Sequence, residues 1–257
     1  MTEADLRQKV VKIMLGWIGC VQGDATHRFI IDTYNSIRPL PRGLKMGYSS
    51  AWCAAAVSAA GFLAGMQEII FPDINCGVMV EKYQTAGRWV ENDAYVPAAE
   101  GGDLVIYYWG DDGKDDCKEH ESHVGMVVSR EGNTFKVAEG NMVSGGVHFC
   151  GIRTMQVDGR YIRGFCVPDY KKFLEEHYMY HTFKDVPDWA KPAVKELIDA
   201  DVLHGTKEEN GEMVLDLYYS DCRCIVWMVN FVKKMIENVP GVAAKDVVKE
   251  IAGKFGF

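Results

Sequence analysis

Residues 50–66 read SAWCAAAVSAAGFLAGM. A serine precedes a run of alanines, and Gly61 and Gly65 stand at the far end, so the stretch reads as a helix with a serine cap and a glycine stop. So many small side chains on one helix call for close packing against another element. Cys53 falls in the first turn, where unpaired backbone N–H groups and the helix dipole favour a thiolate. Lowering a thiol pKa from about 8.5 to about 6 needs on the order of 3.4 kcal/mol, and the dipole supplies at most about 2. A cationic neighbour must provide the rest, and a histidine is the natural candidate.

Working outward from this helix, Leu6, Val10, Ile13, Met14 and Trp17 recur at helical spacing behind Thr2, a candidate N-cap. A second short helix is expected over 24–37, broken by Arg38-Pro39-Leu40-Pro41-Arg42-Gly43. A third covers about 76–89. The pattern then changes to β-like runs at 103–109, 124–129, 134–138 and 161–167. Helices first and strands afterwards is an α+β order, with the helices packed on a small, curved antiparallel sheet. The expected organisation is a catalytic domain over 1–172, a linker over 173–181, and a small all-α module over 182–257. That module would hold helices at about 189–200, 220–237 and 243–254.

Of seven histidines, His123 opens the apolar strand HVGMVV, and Gly125 leaves room beside it. A histidine at a strand start, facing the N-terminus of a packed helix, follows papain-like logic. The base needs a third group to fix its tautomer. The next strand ends in Glu139-Gly140-Asn141, and either Glu139 or Asn141 can accept the imidazole N–H.

YSSAWCA around Cys53, GGDLVIYYW at 101–109, SHVGMV at 122–127 and AEGN at 138–141 resemble the CHAP family, in that family's order and over about residues 5–170. The resemblance implies a papain-like or NlpC-like fold and a peptidoglycan hydrolase: an N-acetylmuramoyl-L-alanine amidase or a cross-link endopeptidase. It also implies roles for four residues: Cys53 as nucleophile, His123 as base, and Glu139 with Asn141 orienting and assisting the histidine. Phe183–Gly205, FKDVPDWAKPAVKELIDADVLHG, resembles the first half of an S-layer homology module. The second half of that module usually opens with a Thr-Arg-Ala-Glu type sequence, and here it reads Tyr219-Ser220-Asp221-Cys222-Arg223, which argues against anchoring through the usual arginine.

The bulk properties bound the partners. The formal charge of −8 argues against a nucleic-acid binder, and no stretch approaches the roughly 20 apolar residues that a membrane helix needs. The first nine residues carry mixed charges and do not read as a secretion signal. The expected partner is bacterial peptidoglycan, reached from the cytoplasm through a separate pore, as for a phage or prophage endolysin. Self-association through the C-terminal module is a further expectation. Eight cysteines are too sparse for a stapled small fold, so free thiols are expected, with Cys20, Cys76, Cys150 and Cys166 as core residues. No cofactor is required; Asp111, Asp112, Asp115 and Asp116 offer oxygen ligands for calcium, but without EF-hand spacing. Cys117, His120 and His123 form C-x2-H-x2-H, although a metal there would remove the base. Trp52 is taken as the aromatic nearest the substrate, by adjacency, and Asp24 with His27 as a surface pair without a role. The rival readings are an NlpC-type stem-peptide peptidase and a catalytically silent wall-binding or structural phage protein.

Overall fold

A computed structural model describes residues 2–91, 94–112, 120–205, 207–209, 211–236, 243, 246–247 and 249. The chain divides into two compact units, Met1–Phe173 and Leu174–Phe257.

In the first unit, α1 (Glu3–Leu15) starts at a capping box in which Thr2 and Asp5 exchange hydrogen bonds. Asp24 caps α2 (Ala25–Ser36) by accepting from His27 N–H. Both helices begin within one residue of the sequence expectation. The third, α3 (Cys53–Leu63), corrects the serine cap: Trp52 is the N-cap, and no side chain caps the helix. Next come α4 (Cys76–Thr85), capped by Asn75, and the two-residue strand β1 (Trp89–Val90).

Five strands follow: β2 (Leu104–Tyr107), β3 (His123–Glu131), β4 (Thr134–Ser144), β5 (Val147–Gln156) and β6 (Ile162–Cys166). All pairings are antiparallel, in the order β1-β6-β2-β3-β4-β5. The first unit therefore has the α+β character expected, on a six-stranded sheet. β5 was not anticipated. It is joined to β4 through Gly145-Gly146, both at positive φ (56° and 77°), as a tight hairpin turn requires. Every residue of β2 and β6 is buried, as are the first six of β3, because the sheet is covered on both sides. One face carries Val105, Tyr107, Val127, Phe135, Val137, Ile162 and Phe165. The other receives α3, with Ala56 and Trp52 lying directly over Gly140. The buried pair Arg7–Asp103 (2.8 Å) ties α1 to the loop before β2, where Arg7 also donates to Gly101 C=O.

Helix α5 (Tyr170–His177) falls where a linker was expected. The second unit contains β7 (Met179–Thr182), α6 (Lys191–Asp199), β8 (Lys207–Glu209), β9 (Glu212–Tyr218) and α7 (Tyr219–Ile236). Its strands form a sheet in the order β7-β9-β8, so the all-α expectation is wrong. Val214, Leu215 and Leu217 of β9 are buried, and Tyr180, Leu215 and Leu217 pack on Val186, Val194 and Cys222, so the short strands share the core that helices alone were meant to supply. The helix expected over 243–254 lies largely outside the described residues.

Candidate active site

Cys53 is the first residue of α3, 7 % exposed. His123 is the first residue of β3, 6 % exposed, and sits opposite Tyr107 of β2. Cys53 and Glu139 are the two groups that raise the His123 pKa, and His123 Nε2 lies 3.1 Å from Glu139 Oε2. With Nε2 on the carboxylate, Nδ1 is the nitrogen left for the thiol. Glu139, fully buried, is held in turn by Arg153, whose Nε donates to Oε1 (2.8 Å) and whose second guanidinium nitrogen donates to Oε2 (3.0 Å). Two parallel charge-assisted bonds fix the plane of the carboxylate and so the plane of the imidazole.

The backbone explains why Glu139 reaches His123. Met126 pairs with Ala138, so continuing that register sets Glu139 across from Gly125 and diagonal to His123 on one face. A Cβ on Gly125 would fall 2.7 Å from Glu139 Cγ; its absence lets the carboxylate cross to the histidine. Beyond Glu139 the β4–β5 register shifts, and Asn141 takes φ +60°. Asn141 Oδ1 therefore meets His148 Nδ1 at 2.8 Å, so that oxygen is engaged with His148 while Glu139 is the group on His123.

The electrostatics follow from these contacts. The Cys76 thiol 4.0 Å away, the His123 ring and Val124 N–H outweigh burial and hold the Cys53 thiol well below its ordinary range. Burial disfavours the imidazolium, but the Cys53 thiolate and the Glu139 carboxylate outweigh it and push His123 up to about 9. Burial likewise raises Glu139, yet His123 and Arg153 bring it below the usual carboxylate value. The three groups thus favour a thiolate, an imidazolium and a carboxylate together.

Several sequence expectations change. Trp52 is fully buried, its ring 4.8 Å from that of His27, so it is a packing residue and cannot line a substrate cleft. Trp109 is the exposed aromatic near His123: it is 36 % exposed, stacked on Tyr107 at 4.6 Å, under the Arg153 guanidinium at 4.6 Å and 6.0 Å from the His123 ring. His27 and Asp24 are not a surface pair, since His27 is wholly buried and its Nδ1 accepts from Gly23 N–H. Cys76 is only half-buried and faces Cys53, so the core reading fails for it. Arg153 was missed; the Gly145-Gly146 turn would have revealed β5, and the register Glu139↔Gly151 then makes Arg153 a diagonal neighbour of Glu139.

Of the calcium candidates, Asp111 is buried and bonded to Arg160 Nε at 3.0 Å, and Asp112 is exposed. Asp115, Asp116 and Cys117 lie outside the described residues. Among the described residues no group of three His, Cys, Asp or Glu is placed to hold a metal ion, and no helix is long and apolar enough to cross a membrane. Comparison with family models, with curated proteins and with solved structures finds no match for this chain.

Proposed function

We propose that the first unit is a papain-like cysteine hydrolase of the CHAP kind, cleaving an amide bond in bacterial peptidoglycan. The observation that carries this reading is the chain of contacts from Cys53 at an uncapped helix N-terminus, through His123, to a buried Glu139 clamped by Arg153. A thiolate so held attacks the scissile carbonyl carbon. Backbone N–H groups in the first turn of α3, with no side chain capping them, suit the developing oxyanion. His123, carrying the proton, gives it to the leaving amine; a water then loses a proton to the same nitrogen and releases the acyl group from Cys53. Arg153 and Glu139 keep the ring in place through both steps.

The substrate class rests on the resemblance of the four motifs, which fits a phage or prophage lysin and a bacterial wall-remodelling enzyme alike, neither needing a cofactor. Trp109 offers an aromatic face beside the reacting atoms, suited to a sugar or stem-peptide group. The test is digestion of purified Gram-positive peptidoglycan by wild type and Cys53→Ala, with mass spectrometry of the released fragments. New termini from wild type alone name the bond as muramoyl-alanine or cross-link. No release from walls of several cross-link types, by a folded protein, would overturn the hydrolase reading and favour a silent wall-binding protein.

A further inference from the structure

Two cysteines meet at this site. Cys53 and Cys76 each occupy the first position of a helix, α3 and α4, and their sulfurs lie 4.0 Å apart. Their helix starts are tied together: Ser58 of α3 donates to Asp73 C=O (2.7 Å) and accepts from Asp73 N–H (2.9 Å), just before α4. The fully buried Asp73 carboxylate accepts from Arg42, Lys82 and the N–H groups of Ile74 and Asn75, which fixes the turn that delivers Cys76. A sulfur–sulfur distance of 4.0 Å is non-bonded, and a disulfide at about 2.05 Å needs each sulfur to move by only about 1 Å.

We infer that Cys76 is a resolving thiol for Cys53, so that a hydroperoxide converts the pair reversibly to a Cys53–Cys76 disulfide. In the first step the Cys53 thiolate attacks the peroxide O–O bond, giving the sulfenic acid and an alcohol, or water from hydrogen peroxide. In the second, the Cys76 sulfur attacks the sulfenic sulfur; the S–O bond breaks, and the hydroxyl leaves with the Cys76 proton as water. The peroxide is the two-electron oxidant, and a dithiol restores both cysteines. Two features suit the roles. The Cys76 thiol and the His123 ring hold Cys53 as the reactive thiolate, whereas the Cys53 sulfur, burial and then Glu121 keep Cys76 protonated beside it. Cys76 is also the more exposed of the two, which gives a reductant access.

The inference needs only a reactive thiolate, not the substrate assigned above, so its test reads thiol chemistry alone. Reduced protein is treated with one equivalent of hydrogen peroxide, then with a 1,3-dione that traps sulfenic acid, then with iodoacetamide. Trypsin leaves both cysteines on one peptide, 46–82, so cleavage after Glu68 is added to separate them. The mapping also distinguishes this pair from Cys20 and Cys150, which are backbone neighbours (2.9 Å). The expected result is a linked peptide holding most of Cys53, lost on reduction with dithiothreitol. In Cys76→Ser the link is absent and Cys53 carries the dione adduct. Wild-type Cys53 bearing the dione or a sulfinic acid, with Cys76 alkylated, would overturn the inference whether or not the protein cuts walls.

Discussion

Replacing Glu139 by glutamine tests the electrostatics of the site most directly. His123 stands at about 9 against an ordinary 6.5, although it is only 6 % exposed and burial alone would lower it. That rise is net of burial, so the Cys53 thiolate and the Glu139 carboxylate together supply more than roughly 3 kcal/mol. Glu139→Gln keeps the shape, removes one anion, and leaves Arg153 facing a neutral amide. If the two anions contribute comparably, His123 should fall by on the order of 1 to 2 units. The pH dependence of Cys53 alkylation by iodoacetamide, and the NMR titration of the His123 ring, read this shift without any substrate. The same change should cost about 1 to 3 kcal/mol of stability, because the third-exposed Arg153 then faces a neutral amide in place of a carboxylate. Urea unfolding, run beside the titration, checks that the variant is folded. A folded Glu139→Gln protein whose histidine still titrates near 9 would show that the carboxylate does not sustain the imidazolium, and the orienting role given to Glu139 would fall.

Activity should be bell-shaped in pH, with its basic limb near the His123 value of about 9, and a limb near 6.5 would contradict the ion pair. Because the folded His123 pKa is raised, its stabilisation is complete below about 6.5 and lost as pH climbs through about 9; the lowered Cys53 thiol acts in the opposite sense over the same window, so the decline in thermal midpoint should be plainer in Cys53→Ala, where only Glu139 pairs with His123. Gly140→Ala would set a methyl 2.8 Å from Ala56 Cβ and 3.0 Å from the Trp52 ring, lifting α3 from the sheet at a cost of about 1 to 3 kcal/mol by denaturant titration; an unchanged midpoint would mean the helix can shift freely. Asp103→Ala leaves the buried Arg7 only Gly101 C=O and the exposed Glu3, and deprives Tyr95 and Ala98 N–H of their acceptor, and should cost about 2 to 4 kcal/mol on the same measurement. Chelation with EDTA should leave wall digestion unchanged, since Asp111 is already engaged by Arg160; a loss restored by calcium would reverse that expectation.

What the sequence made legible was local. The capping residue Thr2, the Ala-rich helix and the apolar strands each carry their signal within a few residues of chain. Cys53 at a helix start and His123 at a strand start stood out by position, whereas Glu139 was one of two candidates beside Asn141, and the roles came from the motif resemblance. What escaped depends on register and on edges. Strand β5, at the sheet's rim, breaks its alternation at Phe149-Cys150-Gly151 and Arg153-Thr154, so neither it nor its Arg153 stands out in the sequence. The bulge after Glu139 turns Asn141 toward His148, and nothing in AEGN states that a bulge occurs there. Trp52 was misread for the opposite reason: adjacency to Cys53 along a helix start says nothing about which side of the helix a ring faces. In the second unit, the strands are short and half-exposed; 179–182 straddled the end of the expected linker, and 212–218 was left without an element between two expected helices.

The site is assembled by missing side chains as much as by present ones. Gly125 leaves a gap over which Glu139 lies to reach His123, and Gly140 leaves the gap into which Trp52 and Ala56 settle, bringing the start of α3 down to the sheet. Alanines at 54, 55 and 56, all buried, keep that helix close enough for its first residue to meet the first residue of β3. A methyl at position 125 would collide with Glu139 Cγ at 2.7 Å and Val137 at 2.4 Å while leaving Cys53 and its helix untouched. Gly125→Ala should therefore separate orientation from nucleophile placement: turnover falls and the His123 titration shifts downward, as in Glu139→Gln, while Arg153 keeps its carboxylate and more stability is retained. If Gly125→Ala lowers stability without moving the histidine titration, the glycine serves strand packing alone, and the reach of Glu139 does not depend on it.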